Sequence, residues 1–163
     1  MNAELEAHLV AVRNAPAMPE ADSEKRCRER VDFAGRFLQI VDSTLKSVLD
    51  SAARTLQKHG YGATVELVRE RGGADLNSFP HISLYFSPQC CPAADLGYLY
   101  TLAGASVGFI CRRNDLCVEV LLAHPAGRGV ERRVSFSTAT LAELTPDRVT
   151  RVVTDAVKQI IKG

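Results

Sequence analysis

Apolar residues recur at three- and four-residue steps along one stretch of the chain: Val31, Ala34, Phe37, Leu38, Val41, Leu45, Val48, Leu49, Ala52 and Leu56. That repeat gathers side chains on one face of an α-helix and predicts a single long helix over residues 26–59. No proline interrupts residues 25–60, and Gly60 follows His59 where a left-handed cap favours a residue without a Cβ. At 1.5 Å per residue such a helix is roughly 50 Å long, more than one small sheet covers, so part of its stripe needs another partner. Asp22 or Ser23 is the expected N-cap. The turns after it, Glu24 to Arg30, are almost wholly charged and belong in water. Upstream, Leu5, Leu9, Val10 and Val12 mark a short amphipathic helix over residues 2–13, which Pro16 and Pro19 end. Residues 1–21 therefore read as an appendage and residues 22–163 as one domain.

After Gly60 the period changes from helical to two. Tyr61, Ala63, Val65 and Leu67 alternate with Thr64 and Glu66, giving a strand near residues 62–70; Ile82, Leu84 and Phe86 alternate with Ser83 and Tyr85 in a second, bracketed by Pro80 and Pro88. Gly104-Ala105 reads as a turn between strands at 98–103 and 106–112, Asn114-Asp115 turns the chain into a strand at 116–122, and a last strand begins at Val130. Thr145-Pro146-Asp147 starts a final helix: a hydroxyl cap, proline at the first helical position and a carboxylate at the positive end of the dipole. Its apolar face runs Val149, Val152, Val153, Ala156, Val157, Ile160 and Ile161. Strands joined by short turns pair antiparallel, and helices before and after them cover one face. The expected fold is two-layer α+β: a long N-terminal helix, an antiparallel sheet of about six strands, and a C-terminal helix packed on the same face.

Length and charge narrow the classes. A chain of 163 residues with 46% hydrophobic content can bury one substantial core. The net charge of +1 supplies no global field for nucleic acid or an anionic membrane. The basic clusters Lys25 to Arg30, Arg112-Arg113 and Arg128 to Arg133 are interleaved with acids or split across strand faces, so a solvated surface is expected of them and neither partner is. The first residues carry two glutamates and lack a secretory pattern, and five cysteines have no framework spacing; a cytoplasmic protein with reduced thiols is expected.

Candidate chemistry is sparse. His81-Ile82-Ser83-Leu84 resembles the His-x-Ser/Thr-apolar signature of the two-histidine phosphoesterases, which implies a histidine acid or base beside a phosphate-holding hydroxyl. That family uses two such motifs, and His8, His59 and His124 are followed two residues on by Val10, Tyr61 and Ala126. Cys90-Cys91-Pro92 could serve a metal with His81 or His124, or dock haem, but a structural site needs more ligands at paired spacing, so neither metal nor cofactor is expected. Cys111 and Cys117 flank the Asn114-Asp115 turn, and a three-residue loop would set them opposite one another. No nucleophile elbow appears, Gly127-Arg128-Gly129 reads as a hairpin turn, and Tyr98 and Tyr100 share a strand face as core or interface residues.

One feature stands out. From Leu76 to Cys111 the only charged residue is Asp95, although the whole chain is 24% charged. A strand face in water normally carries charge, so the face away from the helices is expected to be covered. The main expectation is a partner-binding or self-associating protein, a homo-oligomer, without catalytic activity. In outline it resembles small bacterial dimeric proteins such as type III secretion chaperones. The alternative is a small-molecule-binding protein or hydrolase with a pocket between sheet and helices, at which His81, Tyr85, Cys90, Cys91 and His124 would converge.

Overall fold

The computed structural model describes residues 3–15, 20–69, 79–87, 104–126 and 130–162. Helix α1 is Ala3–Asn14. A continuous rod follows, made of α2 (Glu20–Ile40), a π-helical turn (Val41–Leu45) and α3 (Lys46–Lys58). The strands are β1 (Ala63–Val68), β2 (His81–Phe86), β3 (Ala105–Arg112), β4 (Cys117–Ala126) and β5 (Val130–Ala139), and α4 (Pro146–Lys162) comes last. The sheet order is β1-β2-β3-β4-β5, every neighbouring pair antiparallel. This is the expected two-layer α+β arrangement with five described strands in place of about six. β3 is bonded to β2 on one side and β4 on the other, and Ala105 already pairs with Phe86. The hairpin expected at Gly104-Ala105 therefore has no free edge to pair along; residues 98–103 lie outside the described residues.

The long helix begins earlier than expected. α2 starts at Glu20, directly after Pro19, and places Asp22 in its first turn, where a carboxylate meets the positive end of the dipole. The rod spans roughly 58 Å. Only from Phe33 onward does it bury side chains: Phe33, Phe37, Val41, Leu45, Leu49, Ala53 and Leu56. Those residues meet Ile82, Leu84 and Phe86 of β2, Val107, Phe109 and Cys111 of β3, Val118, Val120 and Leu122 of β4, and Val149, Val153, Ala156 and Ile160 of α4 in one core. Both helical elements thus lie on the same side of the sheet.

The π turn follows from the spacing of that stripe. Phe33, Phe37, Val41, Leu45, Leu49 and Ala53 are each four residues apart, and on a 3.6-residue helix every such step rotates the next side chain by about 40°, so five steps would carry the stripe some 200° around the rod. A π turn holds about 4.4 residues and takes back roughly 70° of that rotation. It falls at the middle of the stripe, marked by the Lys46 N–H donating to the Val41 carbonyl five residues back, and both Val41 and Leu45 are buried. The polar residues between them, Asp42, Ser43 and Thr44, are left on the outer side, where Asp42 pairs with Arg69 at 3.0 Å.

The other boundaries are local chemistry. Gly60 has φ 87°. From there its N–H donates to the Gln57 carbonyl, and the Tyr61 N–H to the Leu56 carbonyl, both at 3.0 Å, the paired bonds of a Schellman cap. At the start of α4 the Thr145 hydroxyl accepts from the Arg148 N–H at 3.4 Å and the Thr145 carbonyl from the Val149 N–H at 2.9 Å. Just upstream, Glu143 accepts from the Thr140 N–H at 2.7 Å. That bond, the Thr140 hydroxyl and the Arg148 guanidinium hold the Glu143 carboxyl below the usual carboxylate range.

Three variants test this account. Deleting Ser43 should convert the π turn to α-helix and leave Phe33 and Phe37 on the core side, because one residue fewer takes back about 100° of rotation where the π turn takes back roughly 70°. Inserting an alanine after Ser43 should instead swing them about 100° away from the core, at a cost of roughly 3–5 kcal/mol in urea denaturation, as for loss of a buried aromatic; an insertion variant with an unchanged midpoint would mean the core does not depend on the register of the stripe. Thr145→Ala should cost about 1 kcal/mol, and a variant as stable as the parent would count against the cap.

Candidate functional site

Strand alternation sorts the sheet into a helix-facing side and an outer side. The outer side carries Thr64, Glu66 and Val68 of β1, then His81, Ser83 and Tyr85 of β2, and next Ser106, Gly108, Ile110 and Arg112 of β3; β4 adds Cys117, Glu119, Leu121 and Ala123, as the register pairs them. None of these is fully exposed, and Ser83 and Ala123 are buried. Ser83 lies opposite Gly108, and a Cβ on Gly108 would come within 2.8 Å of the Ser83 hydroxyl oxygen. The glycine thus makes room for the hydroxyl.

The best-defined polar group on this side is Arg112 with Glu119. A four-residue turn pairs Arg112 with Cys117, so Glu119 stands diagonally from Arg112 on the same face, and both nitrogens of the guanidinium edge, Nε and one terminal N–H, donate to one carboxylate oxygen. Both side chains are mostly shielded from solvent. The Phe79 ring lies under Arg112 and Arg113, each guanidinium 5.7 Å from its centroid, close enough for cation–π attraction. Arg112 is thus held by a carboxylate and a ring. A guanidinium already engaged in this way is a structural tie across the β3–β4 hairpin, since breaking a shielded pair leaves an uncompensated charge.

The described residues among those singled out from sequence, His81, Tyr85 and His124, do not converge. His81 and Tyr85 are half-buried on the outer side, four residues apart in β2, or about 13 Å along the strand. His124 follows Leu122 by two in β4 and so takes the helix-facing side. Cys90 and Cys91 lie outside the described residues. The His81 Nδ1 donates to the Phe79 carbonyl oxygen at 2.9 Å. The Phe79, Arg112 and Glu119 group was missed by the sequence reasoning, although the opposite charges on either side of the Asn114-Asp115 turn were its signal.

Cys111 and Cys117 are not opposite one another either. Cys111 pairs with Val118 and Cys117 with Arg112, which puts the two thiols on opposite faces. The reason is Leu116, which adopts φ 51° and lengthens the turn by one residue. Cys111 is fully buried among core side chains, and that burial, opposed by Arg113 and helped by Cys117, pushes its thiol up to about 11. Burial, followed by the Asp115 and Glu119 carboxylates, raises Cys117 as well, against the pull of Arg112. Neither is an activated thiolate, the form a nucleophile or metal ligand requires.

Among the described residues no three His, Cys, Asp or Glu side chains are grouped so as to hold a metal ion, and no helix is long and apolar enough to cross a membrane. A cavity of about 20 Å³ opens between α4 and the sheet, lined by Phe109, Val120, Ser137, Thr138, Ala139, Leu144, Arg148, Val149 and Val152; it has room for a single water. The fold and site together define a two-layer α+β protein with a packed interior. Compared with known proteins, the chain matches no family model, no curated protein and no solved structure.

The thiol chemistry is open to test. A thiol raised on folding contributes stability that is whole below its unfolded value of about 8.5 and is lost as pH rises toward about 11. Stability should therefore fall over that window, less steeply in Cys111→Ala. In the native protein at pH 8, Ellman's reagent should modify the exposed Cys27 at once and reach Cys111 only on unfolding; rapid native modification of Cys111 would contradict its burial.

Proposed function

We propose that the protein works by self-association through its N-terminal helical arm, α1 and the first half of α2, and not through a catalytic centre. The observation that carries this is the exposure of the arm's apolar side chains: Leu5 at 57%, Leu9 at 58%, Val12 at 60% and Val31 at 68%. α1 buries no residue, and from Ala21 to Asp32 every residue of α2 is exposed. A helix of about twelve residues is marginal in water without packing, so a covering surface is what would hold α1 in shape. The engaged Arg112 and the two neutral thiols fit a protein that binds rather than reacts. The reducing cytoplasm is where we expect it to act.

Light scattering coupled to gel filtration tests the proposal. The mass should exceed the 17.7 kDa of one chain and rise with loading concentration, and 17.7 kDa at every concentration would refute it.

A further inference from the structure

The arrangement of residues around α1 carries the reading further, to the partner and its direction. Counting 100° per residue, Leu5, Leu9 and Val12 fall within about 60° of one another on the helix, and Glu6 and Arg13 lie together on one flank of that stripe, some 80–100° from Leu5. Glu6 and Arg13 are seven residues apart, roughly 10 Å along the axis, too far to pair within one helix. From this we infer that α1 of one chain packs antiparallel against α1 of a second copy about a twofold axis near Leu9, with Glu6 of each chain paired to Arg13 of the other. The inference rests on the self-association proposed above.

The geometry is consistent at every contact. A twofold axis normal to the plane of two antiparallel helices keeps like flanks on the same side, so the Glu6 and Arg13 flank of one copy meets the same flank of the other with the order reversed. Placing Leu9 against its counterpart sets Leu5 against Val12 of the partner subunit, and it sets Glu6 beside the partner's Arg13, all within about one residue of perfect register. A parallel pair, related by an axis along the helices, would instead put the Glu6 and Arg13 flanks of the two copies on opposite sides of the interface, where neither charge meets its complement. An anionic lipid surface, the other surface that takes an exposed apolar stripe, favours Lys and Arg on the polar side, whereas this helix opens with Glu4 and Glu6. Two helices of twelve residues make a small interface, under about 1,200 Å², of the kind found in weak, reversible complexes.

Sedimentation equilibrium of the full chain over a range of concentrations decides the matter. Wild type should show a monomer–dimer equilibrium, and Leu5→Glu with Leu9→Glu should abolish it while the core stays folded and the circular dichroism loses no more than the helical signal of α1, because neither side chain is buried in the core. Glu6→Arg or Arg13→Glu alone should weaken the dimer about tenfold through two lost ion pairs, and the two together should restore it. A dimer that survives Leu5→Glu with Leu9→Glu would overturn the α1 pairing but leave self-association standing. Failure of the double charge exchange to restore the dimer would overturn the antiparallel direction. Monomers at all concentrations would overturn both readings, as would wild-type monomers that co-sediment with phosphatidylglycerol vesicles, which would make the stripe a lipid contact.

Discussion

The four-residue stripe from Phe33 to Ala53 is the constraint on which this molecule depends. It supplies one wall of the core, and β2, β3, β4 and α4 are placed by packing against it. A stripe with that spacing is not compatible with an unbroken α-helix over its whole length, because the drift would carry Ala53 to the far side of the rod from Phe33. The π turn at Val41–Leu45 resolves the conflict at one place. It is usual to look for a ligand at such a turn, since they gather at functional sites. Here a packing requirement accounts for its position, and the outward Asp42 uses the exposed side to tie the rod to the end of β1 through Arg69.

Much of the fold was legible because the hydrophobic period is written by burial itself. The long helix, its stop at Gly60, the first two strands and the Thr145-Pro146 start all follow from spacing and cap chemistry, and the structure places them within a few residues of expectation. The π turn was equally legible from the run of fours, but a list that mixed Leu38, Val48 and Ala52 with the true core residues hid it. The strand expected at 98–103 lies outside the described residues. β3 itself is bonded to β2 and β4, so the turn expected at Gly104-Ala105 was read from residue types without the register.

The β3–β4 turn shows the same reasoning at finer scale. Val107, Phe109 and Cys111 must share the core with Val118, Val120 and Leu122, and antiparallel pairing brings those two sets together only when the residue numbers of each pair sum to an odd total, as 111 and 118 do. A three-residue loop would have produced an even total, turning Glu119 into the core and Val118 and Val120 out of it, since a slip of one reverses every side chain. The sequence therefore contained the argument against its own expected Cys111 and Cys117 pairing. The energetic comparison is one-sided: a left-handed Leu116 costs of order 1 kcal/mol, while an unpaired buried carboxylate costs several. Backbone strain at a turn is the smaller term, and the chain accepts it.

The candidate site was far less legible, and the reason is that sequence places residues along a strand but not a ligand beside it. His81 and Tyr85 do share a face, as period two requires, yet His124 falls on the other side because its strand enters the core at Val118 and keeps parity through Leu122. Convergence of those three was never available to this topology. What the sheet does assemble, Arg112 between Glu119 and Phe79, is closed on itself, with each charge and ring used by its neighbours. Surface chemistry that remains to be satisfied lies instead on the arm. There the apolar stripe faces outward and the charges on its flank are opposite in sign and set at the two ends of the helix. A single chain cannot bring those ends together, whereas a second chain running the other way, as we propose, would.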